Sequence, residues 1–186
     1  MGRDVALRAA IDLLNMPSQV RALTRAPLPQ GTALVLGVAA GEPGAELEAA
    51  QFFDRPKAQL REAAGFYIEQ ILMSPNSDSY RILGARQDAT TEDLRSNMAM
   101  LMRWLHPDIN PGTVCKRHAG RVIKAWDDVK SPERRQAYDA ALRDTSRESA
   151  QRKTRKLQRN MPRPGQRVVQ PEGRWLRRVL AYFLDR

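Results

Sequence analysis

The chain has 186 residues, 42% of them hydrophobic and only 6% aromatic, and a net charge of +10. That length supports one modest core or a small domain with appendages, and few aromatics beside abundant Ala, Leu and Arg favour helix over sheet. A single cysteine, Cys115, excludes an internal disulfide and a Cys-rich zinc module and fits a reducing cytoplasm, while the longest apolar run, Thr32 to Gly41, is too short for the ~20 residues that cross a bilayer.

Residues 3–16 read as an amphipathic helix, with Val5, Leu7, Ile11 and Leu14 near helical spacing and Pro17 ending it. Charged Arg3 and Asp4 followed by a mixed helix do not read as a secretory leader. Pro27, Pro29 and Gly31 mark a loop, and a short apolar helix to Ala40 is closed by the Gly41-Glu-Pro-Gly44 turn. Two further helices follow, 45–53 and 56–73. The second carries Leu60, Ala64, Tyr67, Ile68, Ile71 and Leu72 on one broad face and stops at Ser74-Pro75-Asn76. Residues 1–76 thus form a small helical region whose role the sequence does not name.

Tyr80, Leu83 and Gly84 predict a short helix closed by a C-terminal glycine. Thr90 and Asp93 are spaced as a capping box. From there Leu94, Met98, Leu101, Met102 and Leu105 make one helix face. Pro107 disfavours helix at the residue before it, so this helix ends near Leu105 or His106, and Asp108 to Gly112 is loop chemistry. Cys115, Ala119, Val122, Trp126 and Val129 form a second face. Two such helices joined by a short loop should pack antiparallel. Ser131, Pro132 and Glu133 start a last helix carrying Tyr138 and Leu142.

Residues 144–171 have almost no apolar face and read as a mobile basic linker, with continuation of the preceding helix for a few turns as the alternative. Residues 174–186 form an amphipathic stretch with Trp175, Leu176, Val179, Leu180, Phe183 and Leu184 on one side and Arg174, Arg177 and Arg178 nearby. The charge is uneven: residues 1–77 carry −1, 78–142 carry +2 and 143–186 carry +9. An acidic partner recognised by bulk charge, nucleic acid or anionic lipid, would be met at the tail.

The ordered set Tyr80-Arg-Ile-Leu-Gly84, Ala89-Thr-Thr-Glu-Asp-Leu94, His106-Pro107-Asp108, Ala125-Trp126 and Ser131-Pro-Glu-Arg-Arg-Gln-Ala-Tyr-Asp139 resembles a J-domain, the signature module of DnaJ-type co-chaperones. With no Gly/Phe-rich or Cys-rich segment following, the resemblance is to the class that shares only the J-domain. It implies an all-α fold with a J-domain over 78–143; the pattern of the remaining residues adds a helical region 1–76 before it, and a basic linker 144–173 and a terminal helix 174–186 after it. It also implies that an antiparallel helix pair presents His106, Pro107 and Asp108 at its tip, where the loop docks on an ATP-bound DnaK-type chaperone and promotes ATP hydrolysis. Basic residues of the first helix of that pair would meet an acidic surface of the partner. Here Arg95 and Arg103 remain of that face, with Lys116 and Arg117 as helpers, because Ser96, Ala99, Met100 and Trp104 stand where relatives usually carry bases.

Each reading has a plainer counterpart. His-Pro-Asp alone is a helix terminus and turn; the agreement of the flanking segments favours the co-chaperone loop. A His-Asp pair with no nucleophile is not a catalytic constellation, so no enzyme activity and no cofactor are expected. Cys115 and His118 are too few for a metal site. Met100 and Trp104 either pack against residues 1–76, the favoured reading, or face a partner. The expected protein is a cytoplasmic co-chaperone with an unnamed client. The alternative is a J-like interaction scaffold that does not stimulate the ATPase and is targeted to membrane or nucleic acid by its basic tail.

Overall fold

The computed structural model describes residues 2–110 and 113–160, with side chains at all of these except 113–116, 149, 153 and 156–160. Every regular element among the described residues is helical. The expected linker beyond residue 160, the terminal helix 174–186 and the side chains of Cys115 and Lys116 lie outside the described residues.

α1 (Val5–Asn15) buries Ala6, Leu7, Ala10, Ile11 and Leu13. A 3-10 turn over Pro17–Gln19 leads into α2 (Val20–Arg25). The apolar run becomes α3 (Thr32–Ala39), and seven of its eight residues are buried. A helix apolar on all sides is stable only when surrounded. α3 is packed by α1, α4 (Pro43–Phe52), α5 (Lys57–Tyr67) and α7 (Thr91–Trp104). Gly37 permits the closest of these approaches, since a Cβ there would lie 2.6 Å from Ala45 Cβ. α5 loosens at its end into a π-turn over Ile68–Leu72, where Met73 N–H donates to Ile68 O at 2.9 Å. Its expected face is buried throughout: Leu60, Ala64, Tyr67, Ile68, Ile71 and Leu72.

α6 (Ser79–Ile82) ends at Gly84, with φ +62°. A Cβ at Gly84 would also crowd Leu36 and Thr32 of α3 at 3.1 Å, so the glycine serves both the left-handed turn and the packing. α7 and α8 (Thr113–Val129) form the expected hairpin, burying Leu94, Leu101 and Leu105 with Val122, Ala125 and Val129. Met98 and Met102 are only half-buried, and the core side of α7 includes instead Asn97, 5% exposed, beside Leu94 and Leu101. Its amide donates to Leu83 O at 2.9 Å, so the polar group is satisfied inside the core.

Residues 1–76 do not stand apart. The residues up to Ala141 form one compact unit and those from Leu142 a second. Two arginines join the early helices to the later ones. Arg81 donates to Ala26 O and Leu23 O, both at 2.9 Å, and to Ile71 O at 3.3 Å. Arg121 of α8 donates to Met73 O at 2.5 Å and Ser74 O at 2.7 Å. Each guanidinium thereby answers carbonyls left open where a helix ends.

α9 (Pro132–Asn160) runs well beyond residue 144. The sequence from 144 to 160 has no Gly or Pro and is rich in Arg, Gln and Lys, all tolerant of helix. The helical continuation that the sequence left as the alternative is present up to Asn160.

Candidate functional site

α7 is fixed at its start by a reciprocal cap. Asp93 N–H donates to Thr90 Oγ1 at 3.0 Å, and Thr90 N–H donates to Asp93 Oδ2 at 3.1 Å. The Thr90 hydroxyl and amide hold the Asp93 carboxyl below its ordinary range. Arg135 of α9 holds the approach to α7 by donating to Gln87 O at 2.5 Å and Ala89 O at 2.8 Å. The same arginine donates to Tyr80 Oη at 3.1 Å, and Tyr80 O–H donates to Asp139 at 2.8 Å. Burial, reinforced by the bond to Asp139, pushes the Tyr80 phenol up to about 12, although Arg135 opposes it. The hydroxyl therefore stays a donor at any physiological pH. Ser79 completes this base: its N–H donates to Tyr138 Oη at 2.8 Å and its hydroxyl to Asp128 Oδ2 at 2.7 Å.

The far end of α7 is closed by the chain itself. Leu105 N–H donates to Leu101 O and His106 N–H to Arg103 O. Pro107 has no N–H to place, and the amides of Ile109 and Asn110 both return to His106 O at 3.0 and 2.9 Å. The turn is thus closed by its own backbone bonds. His106 Nδ1 lies 3.3 Å from Asp108 N and 3.4 Å from Asp108 Oδ2. Nδ1 can accept from the amide when it carries no proton, or donate to the carboxylate when it does, but not both. The His106 and Asp108 side chains are 60% and 86% exposed.

Of the residues singled out in the sequence, His106, Pro107 and Asp108 are consecutive in one exposed turn. Arg95 and Arg103 are exposed on α7, eight residues apart and so on one face. Arg117 is exposed near the start of α8, and the Lys116 side chain is outside the described residues. Met100 and Trp104 take the other flank. Trp104 is 3% exposed and packs against α5, where a Cβ on Gly65 would lie 3.6 Å from Trp104 Nε1. Met100 lies beside Gly37 of α3. Of the four positions where bases were expected, Met100 and Trp104 lie against the N-terminal helices, while Ser96 and Ala99 are exposed.

Sequence reasoning missed Asn97, Arg81 and Arg121. Asn97 had a signal, being a polar residue three after Leu94 and four before Leu101, inside an apolar stripe. The arginines had none, because their acceptors are main-chain carbonyls distant in sequence. His118 lies in α8 with Nδ1 enclosed and without a hydrogen-bond partner among the described residues. Burial, with Arg121 and Arg117 nearby, pushes its imidazole below the ordinary value. Among the described residues no group of three or more His, Cys, Asp or Glu could hold a metal ion, and no helix is long and apolar enough to cross a membrane.

With this geometry in place, the likeness to known proteins is specific. A family model described as "DnaJ domain" matches residues 78–139. Chaperone protein DnaJ of Leifsonia xyli subsp. xyli is 36% identical over 63 residues, 34% of this chain and 17% of that protein. Chaperone protein DnaJ 1 of Aquifex aeolicus is 38% identical over 65 residues, 35% of this chain and 18% of that protein. A protein of Coxiella burnetii named "Curved DNA-binding protein" is 35% identical over 63 residues, 34% of this chain and 20% of that protein. The chain thus matches a fifth or less of the length of these relatives. No solved structure matches significantly. The capped helix, the His-Pro-Asp turn and the tyrosine-bound base all fall inside or beside the matched segment, and residues 78–139 are a DnaJ domain.

Proposed function

We propose that the chain is a co-chaperone that docks on an ATP-bound DnaK-type chaperone and stimulates its ATP hydrolysis without chemistry of its own. The observation that carries this reading is the exposed His106-Pro107-Asp108 turn, closed by its own backbone bonds at the free end of a DnaJ domain. Proline removes a donor and fixes φ, so little freedom is lost when a partner binds. Asp108 can accept a bidentate hydrogen bond from a partner arginine. Arg95 and Arg103 give the encounter its direction, with Lys116 and Arg117 as helpers. In this reading residues 78–143 are the working module, 1–76 brace it, and the client is met elsewhere. Residues 144–173 serve as a basic spacer and 174–186 as a terminal contact segment.

Single-turnover ATP hydrolysis by a DnaK-type chaperone from the same organism tests it. The wild-type chain should accelerate hydrolysis and His106→Gln should not. Equal rates with and without the wild-type chain would sink the proposal.

A second reading is favoured by the sparse charge of α7 and by residues 142–160, which hold seven basic and two acidic groups. In it the domain is a scaffold that does not stimulate the ATPase and is targeted through its basic segment to nucleic acid or anionic membrane. Binding of duplex DNA or anionic liposomes that weakens steeply with salt, together with no effect on ATP hydrolysis, would select it.

A further inference from the structure

Between α5 and the free end of α7 runs a groove of about 640 Å³ that opens onto the His-Pro-Asp turn. That size is typical of clefts that enclose a small ligand or a few side chains. One wall is α5, which lies outside the DnaJ domain, and the other is Arg103 and Trp104 followed by Asp108 and Ile109. The walls are set before anything binds, because Trp104 is buried against Gly65 between them.

The charge of the groove is the informative property. Two arginines line it, but Arg61 is hydrogen-bonded to Glu46, whose side chain is 8% exposed and which also pairs with Lys57 at 3.4 Å. Arg61 is therefore spoken for within the fold. Glu62 of α5 and Glu69 of the π-turn that follows it have no ion-pair partner among the described residues, and Asp108 has only the His106 ring. Among the described residues lining the groove, three carboxylates thus face one free cation, Arg103. Apolar surface lies between them: Phe66 is half-buried and Ile109 is 39% exposed, directly after the turn. The exposed strip of α7 is basic, at Arg95 and Arg103, while the groove beside it is acidic.

We propose that this groove is the second half of the docking site and takes a segment of the DnaK-type partner bearing basic side chains next to apolar ones. Glu62 and Glu69 are then the residues that decide which partner docks and in what register. The inference rests on the co-chaperone reading, because the groove is continuous with the turn through Asp108. A surface basic on one side and acidic on the other rejects a partner placed in the wrong orientation by putting like charges together. It also assigns residues 1–76 a task beyond bracing.

The test is single-turnover ATP hydrolysis by the same ATP-loaded chaperone, titrated with the full chain. Glu62→Arg/Glu69→Arg should raise the concentration for half-maximal stimulation by about tenfold and leave the plateau rate unchanged. Glu62 is exposed and Glu69 half-buried, neither with an ion pair among the described residues to lose, so the thermal midpoint should stay near the wild-type value. Asp12→Arg/Asp54→Arg makes the same change in net charge at exposed positions outside the groove and should leave the titration unchanged. If Glu62→Arg/Glu69→Arg titrates like wild type while Asp108→Asn abolishes stimulation, the groove is not a docking surface and the co-chaperone reading stands. An equal shift in the control variant would overturn the groove as well, since bulk charge would then explain it. No stimulation by the wild-type chain removes both proposals together.

Discussion

The α7–α8 hairpin is held very differently at its two ends. At the base, Ser79, Tyr80, Asp128, Arg135, Tyr138 and Asp139 share side-chain hydrogen bonds between 2.7 and 3.1 Å, with the Tyr80 and Tyr138 rings edge-on at 5.9 Å. At the tip, His106, Pro107 and Asp108 rest on backbone bonds of their own turn and are exposed. Between the ends, the flank of α7 with Met100 and Trp104 is braced by α3 and α5. The difference teaches that the interactions holding this domain together lie at the base and flank. The tip residues His106, Pro107 and Asp108 take no part in those interactions among the described residues and are exposed. Substitutions at the two places should therefore separate stability from function.

The largest effect on stability should come from Trp104→Ala. It empties a buried site on the braced flank and should cost about 3–5 kcal/mol in urea unfolding. A cost near zero would mean that α5 does not brace α7. Arg81→Ala should follow at about 2 kcal/mol, because charge-assisted bonds to three carbonyls are lost at once. Arg81→Lys should recover little of this, since a point charge cannot span acceptors matched to a guanidinium. Both measurements ask whether the early helices belong to the same cooperative unit as the hairpin.

Acid should loosen the brace in a defined window. Burial acts to raise the Glu46 carboxyl, but the hydrogen bond and charge of Arg61, with Lys57 behind it, outweigh this and hold it below the ordinary 4.5. The unfolded chain then takes up the proton first as pH falls. The stability Glu46 contributes is complete above about 4.5 and is lost as pH drops through the lower folded value. Glu46→Gln should flatten that part of a stability–pH profile, and an unchanged slope would count against the pairing. The smallest effect is expected at the tip: His106→Gln and Asp108→Asn should each stay within about 0.5 kcal/mol of wild type. A larger loss at the tip would erase the contrast between the two ends.

The cap of α7, its end before Pro107, the glycine stop at Gly84 and the partner helix α8 were all legible in the chain, because each is local chemistry. A threonine three residues before an aspartate, a proline that bars helix and an apolar period of 3.6 act within a few residues of themselves. The short apolar run was legible as a helix but not as the buried element that α1, α4, α5 and α7 surround. Likewise, the apolar character of Met100 and Trp104 pointed to packing against residues 1–76, but not to α3 and α5 as the helices that cover them.

By itself, then, the sequence determined the helices, the exposed turn and the concentration of charge beyond residue 142. It could do so because propensity, capping and periodicity are properties of neighbours in the chain. Tertiary structure alone decided that Asn97 is a core residue, that Arg81 and Arg121 tie the halves together on main-chain carbonyls, and that Glu62 and Glu69 share a groove with Asp108. Those outcomes depend on groups roughly 14 to 58 residues apart meeting in space, and neither partner carries a local sign of the other.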